Sequence, residues 1–532
     1  MQKLKLMLIP IVAGVILLFV SWCLSYPVSI ESPHDFAFNH FSFFYWLSLA
    51  ILFASFFVVG VEAKSNTLRW AVTVGTVLLV FSQAYFSYMV PGADAPQVRG
   101  LTEYFISTGD LDSSQINHEY FQWPSYFVLC KIASLVPGLD LRLLEFVLYG
   151  LMSLIVTSFL YLHISRVRAN AYIAVMAFFI ILSYFFNFQW ASPFSLSLCL
   201  LFVLFHFDGL SGKREVILAM LLVLACLTFV HVFTPILFIG YCFGMYVVRR
   251  DIKYLRFTAV NGIIYALTMS HSLQFASYVK MLANLAFFYI GNRLQATVTN
   301  PLTLQPYIDV VAQFFSRTVV IVTALLTALG LVILLRGRKL PTTDYVMLIA
   351  GAVFSLTVLV APSNYAELSG RTLFLFCLPA SLGAAYLCES KFKKYFKLTF
   401  LILLVLFTFA LMHQSFYERQ IVFQTEQEYQ CSDFMLDTVD WNGSGYVFSH
   451  FRFMMYLKSA SYSATVRYSA DLFYSEDFSG DMVKYNYVVY TVGLSKSLLA
   501  YNYSTEATSK ELEDSHYNLI YNSGNLSCIF SK

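Results

Sequence analysis

About thirteen long apolar runs, separated by short polar or basic connectors, fill the first 413 residues of this 532-residue chain. Each run approaches the ~20 apolar residues that an α-helix needs to cross ~30 Å of hydrocarbon while satisfying its own backbone hydrogen bonds. Hydrophobic residues make up 58% of the chain and charged residues only 12%, whereas a soluble domain uses about 25% charged residues. The sequence therefore predicts a polytopic membrane protein of the all-α class.

The expected spans alternate with connectors that carry the positive charge. The spans are 6–26, 43–61, 71–90, 143–162, 171–189, 193–207, 216–231, 233–248, 257–271, 318–335, 344–361, 371–388 and 397–413. The basic connectors contain Lys3, Lys5, Lys64, Arg69, Arg166, Arg168, Lys213, Arg214, Arg249, Arg250, Lys253, Arg256, Arg336, Arg338, Lys339, Lys391, Lys393, Lys394 and Lys397. The positive-inside rule assigns these connectors to the cytoplasm. In a plasma membrane the amino terminus is then inside and the carboxy-terminal segment outside.

Two domains are expected. Residues 1–413 form the transmembrane domain, with a large first outside loop at 91–142, and residues 414–532 form an extracytoplasmic domain. The second segment mixes β-favouring Tyr, Val and Phe with turn residues, which predicts a small mixed α/β domain. Cys431 and Cys528 bracket it, and either a disulfide or two free thiols fits an oxidising exterior.

The first outside loop begins with a carboxylate. Asp94 follows the third span and directly precedes a short amphipathic helix that is expected from Pro96 to about Ile106 and ends near Gly109. Asp94 is either the N-cap of that helix or a functional group at the bilayer surface, where a low dielectric alters its affinity for a proton or a metal ion. Both interpretations stay open from the residues alone.

Further polar residues of the same loop lie beside aromatic ones. His118, Glu119, Tyr120 and Gln122 lead into Trp123 and a proline. Aromatic side chains next to a proline are typical of an interfacial belt that anchors a segment in the headgroup layer. The alternative is that they line a site for a sugar or a lipid.

Polar residues are also expected near the outside ends of later spans. Arg293 lies in the loop 272–317, Arg371 follows Glu367 by one helical turn, and His231 ends the seventh span. Charges at such depths face a cavity or one another. An arginine binds a phosphate through a forked contact, but a local Glu367–Arg371 pair and an interhelical hydrogen bond from His231 are equally open.

These features resemble the first external loop of the GT-C membrane glycosyltransferases. The matching pieces are Asp94 after an early span, an amphipathic helix with Arg99, the Thr108-Gly109 break, Tyr120, Trp123-Pro124 and a Gly138-Leu139 turn. The superfamily includes oligosaccharyltransferase catalytic subunits, protein O-mannosyltransferases and lipid A aminoarabinose transferases. The overall plan is most similar to the oligosaccharyltransferase subunit. The resemblance implies a GT-C-like bundle in which Asp94 is the catalytic base or a metal ligand.

The expected function is transfer of a sugar from a polyprenyl-phosphate donor to a glycan, lipid or protein acceptor outside the membrane. The candidate substrate-binding residues are Arg99, Glu119, Tyr120, Trp123, His231, Arg293 and Arg371. The chain has no Gly-x-x-x-x-Gly-Lys loop and no Rossmann fingerprint, so neither a nucleotide-sugar donor nor an ATP-driven pump is expected. A nucleic acid is not an expected partner either. The carboxy-terminal segment has no Trp-Trp-Asp-Tyr-Gly signature, which argues against sequon-specific oligosaccharyl transfer.

The cofactor and three other functions are left open. No metal ligands are predicted, because the second outside loop has no Asp-x-Asp, although a divalent cation is compatible with Asp94. A polysaccharide polymerase or ligase would use the same kind of lipid-linked glycan. A non-enzymatic receptor or scaffold would use the bundle only to carry the outer domain, and a transporter would need ionisable sites at the bilayer midplane.

Overall fold

The computed structural model describes residues 2–27, 41–87, 90, 95–109, 123–135, 140–167, 170–185, 190–208, 214–269, 307–337, 339–359, 366–417, 426–438, 447–448, 487–491, 518–522 and 527–531. These ranges are dominated by helices, which follow directly from the apolar runs. Most of the large apolar side chains between the helices are buried in one continuous core.

The helices in chain order are α1 Gln2–Ser25, α2 Phe43–Glu62, α3 Asn66–Val80, α4 Ala95–Thr108, α5 Ser125–Ser134, α6 Leu141–Ser165, α7 Ala171–Phe185, α8 Pro193–Asp208, α9 Arg214–Thr228, α10 Thr234–Arg249, α11 Ile252–Met269, α12 Tyr307–Arg336, α13 Thr342–Leu359, α14 Ala366–Leu387, α15 Lys393–Tyr417 and α16 Glu426–Thr438. A 3-10 helix, Ser82–Phe86, follows α3. Helices α4 and α5 belong to the first outside loop of the sequence analysis.

Every expected span contains a helix, in the series α1 to α3 and α6 to α15. Within the described residues, five of these helices are long and apolar enough to cross a membrane by length and composition: Leu8–Ser25, Phe43–Glu62, Leu141–Ser165, Thr318–Arg336 and Lys393–Leu411. Seven of the other helices at expected spans contain shorter apolar stretches of 10–17 described residues, and α11, with 18 residues, falls in neither group. The number of spans therefore stays a prediction, although the helical character of the runs is observed.

The third span differs from its expected form. The expected span was 71–90, but α3 ends at Val80 and the chain continues as a 3-10 helix. The Ser82 hydroxyl donates to the Leu79 carbonyl at 2.7 Å, and the Tyr45 hydroxyl lies 3.2 Å from Ser82 Oγ. Local side-chain bonds of this kind compete with the α-helical pattern, so the polar residues end the α-helix before the apolar run is complete.

Small residues allow the closest helix packing. Gly330 on α12 and Gly383 on α14 lie against each other, and a Cβ on either would overlap the backbone of the other helix. Gly351 on α13 likewise meets the backbone of Leu375 and Phe376 on α14. Membrane helices use such small residues because close backbone contact supplies the packing energy that the hydrophobic effect does not supply in lipid.

Buried polar contacts hold the helices together at the ends opposite the first outside loop. Asp208, at the end of α8, accepts hydrogen bonds from the hydroxyls of Tyr241 at 2.8 Å and Tyr254 at 3.1 Å. His163 Nε2 on α6 lies 2.9 Å from Asp344 Oδ1 on α13. These contacts fix five helices relative to one another, since each joins residues that are distant in sequence.

The carboxy-terminal segment contains a small mixed sheet. Its strands are β1 Val447–Phe448, β2 Tyr487–Thr491, β3 Asn518–Asn522 and β4 Ser527–Ser531, in the spatial order β1-β2-β4-β3. Strands β1 and β2 are parallel and the other pairs are antiparallel, with Val489 opposite Ile529 in the centre. Helix α16 packs against β4. The domain boundary at residue 413 stays a prediction.

Candidate active site

The first outside loop contains a buried charge cluster centred on Arg99. The Arg99 side chain lies on α4 and the residue is only 4% exposed. Its Nε donates to Glu103 Oε1, one turn further along α4, at 2.9 Å. Its Nη1 donates to Glu145 Oε2 on α6 at 3.2 Å. A buried arginine needs such carboxylate partners, because removing a charge from water without compensation is costly.

Helix α4 is the predicted amphipathic helix, and its two ends are as expected. It begins at Ala95, the residue after Asp94, and ends at Thr108. Gly109 follows with a φ of 74°, the left-handed conformation typical of a glycine that ends a helix. Lys131 on α5 donates to the Phe105 carbonyl at 3.3 Å and so satisfies part of the last turn. Asp94 itself lies outside the described residues.

Helix α16 of the carboxy-terminal segment covers the charge cluster. The Arg99 guanidinium lies over the ring of Tyr429, 4.9 Å from the ring centroid. Burial raises the pKa of Tyr429, the charge of Glu103 raises it further, and Arg99 partly offsets both. Burial also raises the pKa of Asp433 to about 6, with Glu103 adding and Arg99 opposing. The first outside loop and the carboxy-terminal segment therefore share one electrostatic environment.

Two other candidate residues, Trp123 and His231, lie on neighbouring segments. Both are 4% exposed, and the backbone N–H of Ser125 donates to the Phe229 carbonyl at 3.3 Å, which joins the two segments. His231 Nδ1 accepts from the Phe233 N–H at 3.2 Å. The Trp123 indole N–H has no hydrogen-bond partner among the described residues. Substrate binding by either residue stays a prediction.

The remaining candidates are described only in part. Asp94, Glu119, Tyr120 and Arg293 lie outside the described residues. Arg371 and its possible partner Glu367 lie on α14, for which the structure describes the backbone at these positions.

The two cysteines of the predicted disulfide lie on elements that touch. Cys431 is buried on α16, and Cys528 is on β4, the strand against which α16 packs. The disulfide itself stays a prediction.

An apolar cavity lies on the membrane side of the first outside loop. It has a volume of about 610 Å³ between α1, the 3-10 helix and the start of α6. The Trp22 indole N–H donates to the Tyr85 carbonyl at 2.9 Å and closes one wall. Arg142 and Asp140 line its polar side, with Arg142 Nε 3.9 Å from Asp140 Oδ2. The sequence analysis missed Arg142, although an arginine at the outer start of an apolar span was a visible signal.

The part of the chain that the structure describes contains no candidate metal site. There, no three His, Cys, Asp or Glu side chains come together as a metal site would require. The acidic residues at 94, 110, 112 and 119 lie outside that part, so the choice between base and metal ligand for Asp94 stays open.

The arrangement of these helices is similar in fold to that of solved structures of a membrane enzyme. Two of the structures to which the chain is similar are those of ArnT from Cupriavidus metallidurans, one bound to undecaprenyl phosphate and one in the apo state. Each has a TM-score of 0.50 and 10% sequence identity, and the match covers 88% of this chain and 98% of that chain. No protein-family model and no curated protein matches. The likeness is one of fold, and it agrees with a multi-pass membrane protein built on a helical bundle.

Proposed function

We propose that this protein is a GT-C-type membrane glycosyltransferase that moves a sugar from a polyprenyl-phosphate donor to an acceptor hydroxyl of a glycan, lipid or protein. The observation that carries the proposal is the likeness of fold over 88% of the chain to ArnT, whose structure was solved with undecaprenyl phosphate bound. The apolar cavity beside α6 is further support. Its walls suit an isoprenoid chain, and Arg142 at its polar side suits a phosphate.

The reaction takes place at the outer face of the plasma membrane. The basic connectors assign the amino terminus to the cytoplasm, which puts the first outside loop and the carboxy-terminal segment on the exterior. A lipid-linked donor fits this side, because it remains in the membrane while its sugar is presented to the exterior.

In the proposed mechanism Asp94 is the catalytic base. Its carboxylate accepts the proton of the acceptor hydroxyl while the hydroxyl oxygen attacks the anomeric carbon of the sugar. The bond from that carbon to the phosphate oxygen breaks on the opposite side, so the configuration inverts and the polyprenyl phosphate leaves. Asp94 directly precedes α4 in the sequence, and the amino end of a helix carries a partial positive charge that attracts negatively charged groups.

The other candidate residues bind the two substrates in this scheme. Arg293 or Arg371 holds the leaving phosphate through charge-assisted hydrogen bonds. The remaining contacts to the sugar and the lipid come from Arg99, Glu119, Tyr120, Trp123 and His231.

The test is sugar transfer from radiolabelled polyprenyl-phosphate sugars by the purified full chain. Loss of a general base lowers turnover by about 10²–10⁴-fold, so Asp94→Asn should lose activity while it keeps the elution profile and helical content of the wild type. The matched control is Glu215→Gln, which removes the same charge from an exposed position on α9. Equal turnover in wild type and Asp94→Asn would remove Asp94 from the mechanism, and the same assay with EDTA or added Mg²⁺ tests its role as a metal ligand.

A further inference from the structure

Two helices that are distant in sequence meet through a matched pair of faces. On α4, Arg99 and Glu103 are four residues apart, and on α16, Tyr429 and Asp433 are also four residues apart. Residues at this spacing lie one above the other on a helix surface. Arg99 lies over Tyr429, and Glu103 acts on Asp433. Asp433 therefore lies within the electrostatic reach of α4, one turn along α16 from the contact between Arg99 and Tyr429.

Helix α4 is held from both sides at Arg99. Toward the membrane, Arg99 donates to Glu145 on α6 at 3.2 Å, and toward the exterior it lies against Tyr429 on α16. The residues of α4 next to Arg99 are buried as well, among them Val98, Leu101 and Thr102. The rotation of α4 about its axis is thus fixed by contacts to a membrane helix and to the carboxy-terminal segment.

We propose that α16 is a positioning element for the proposed base: Tyr429, closed over Arg99, fixes the rotation of α4, the helix that Asp94 directly precedes in the sequence. This inference rests on the proposed function, in which Asp94 is the base. Arg99 lies four residues after Ala95, the first residue of α4, about 6 Å along the helix axis. Over so short a distance the helix is rigid, so a rotation at Arg99 displaces the first residue of α4.

The charges around the contact between Arg99 and Tyr429 make the docking of α16 dependent on pH. Asp433 faces Glu103 and Arg99 on α4 and has Asp437 on its own helix, while Glu145 on α6 approaches Arg99 from the membrane side. Two carboxylates that repel each other, Glu103 and Asp433, act on the same side of the contact between Arg99 and Tyr429. Because burial and Glu103 raise the pKa of Asp433 to about 6, uptake of a proton there removes the repulsion and tightens the docking of α16.

The experiment measures docking and turnover on the same purified full-length proteins. Hydrogen exchange by mass spectrometry over residues 95–108 reports on α4, and kcat and KM for the lipid-linked donor report on the reaction. In Tyr429→Leu the exchange of α4 should rise about tenfold, as expected for a lost cation–π contact that closed a local opening. Its kcat should fall about tenfold with KM nearly unchanged, the pattern of a lost transition-state interaction. Tyr429→Phe keeps the ring and should restore most of both values.

Two further variants distinguish loss of the contact between Arg99 and Tyr429 from loss of folding. Asp433→Asn removes repulsion from Glu103 and should slow the exchange of α4 at pH 7.5, which an unfolded or loosened variant does not do. Glu215→Gln removes a charge from an exposed position on α9 and should leave exchange and turnover at the wild-type level.

Each result separates the inference from the proposed function. Unchanged exchange of α4 in Tyr429→Leu overturns the docking, and raised exchange with unchanged kcat overturns the positioning role. If Asp94→Asn loses turnover while Tyr429→Leu keeps it, only the positioning role fails. A wild-type protein that shows the predicted exchange but transfers no sugar overturns the proposed function, and the role of Tyr429 toward Asp94 with it.

Discussion

The buried pair of Arg99 and Glu145 allows the packing of the first outside loop to be tested without any substrate. The two atoms lie 3.2 Å apart, and the side chains are 5% and 9% exposed. Removing one member of a buried ion pair costs about 3–5 kcal/mol, because it leaves an uncompensated charge. Arg99→Met should approach this value, since it also removes the contact to Tyr429. Glu145→Met should cost about 1–3 kcal/mol, because Glu103 still accepts from Arg99 at 2.9 Å.

The double variant Arg99→Met/Glu145→Met decides the argument. Replacing both charges by apolar side chains of similar volume is often neutral or stabilising, so the double variant should recover most of the loss and give a coupling energy of about 2 kcal/mol or more. The free energies come from SDS titration of the protein in mixed micelles, followed by tryptophan fluorescence.

A matched control for the cycle is the exposed pair of Arg142 and Asp140. Its atoms are 3.9 Å apart and its side chains are 31% and 63% exposed. Surface pairs contribute about 0–1 kcal/mol, so Arg142→Met should change the free energy of unfolding little. If the single costs of Arg99→Met and Glu145→Met simply add in the double variant, the inferred coupling is refuted.

Three further predictions follow from particular contacts. Gly330→Val should destabilise the bundle by several kcal/mol, because the new side chain overlaps the Gly383 backbone, whereas Gly262→Val, where no atom lies within 4 Å, should be tolerated in the same SDS titration. The Asp433 carboxyl has a folded pKa of about 6 against an ordinary 3.8, so its share of docking stability is complete below pH 3.8 and is lost as the pH rises through 6. Asp433→Asn should therefore slow the hydrogen exchange of α4 at pH 7.5, which corresponds to a gain of about 1 kcal/mol in docking free energy after solvent screening. At pH 4 the same substitution should have little effect, and an equal effect at both pH values would contradict this prediction. Arg142→Gln should raise KM for the lipid-linked donor about tenfold with kcat unchanged, and an unchanged KM would remove the cavity from donor binding.

The helices could be predicted from the sequence because the apolar composition of each run is enough to make that run helical in a membrane. A run of about 20 apolar residues in a membrane has to be helical to satisfy its backbone, and a helix lies at every expected span. The bounds of α4 could also be predicted from neighbouring residues, because Pro96 marks the start of the helix and Gly109 marks its end. The early end of α3 at Val80 was harder, because it depends on a side-chain hydrogen bond of Ser82 that hydropathy does not register.

The contacts of the candidate site could not be predicted in the same way. Arg99 pairs with Glu145, 46 residues away, and with Tyr429 in another segment of the chain, and no periodicity within either segment encodes a partner in the other. From the sequence alone Arg99 was a cation on an outside helix and therefore a candidate for binding a phosphate. With two carboxylates within 3.2 Å, its charge is already balanced, and an added phosphate would have to displace one of them. This competition distinguishes the two roles: a phosphate-binding Arg99 predicts that Glu145→Gln strengthens donor binding, whereas an anchor for α4 predicts that the same change loosens the helix and lowers kcat without a gain in affinity.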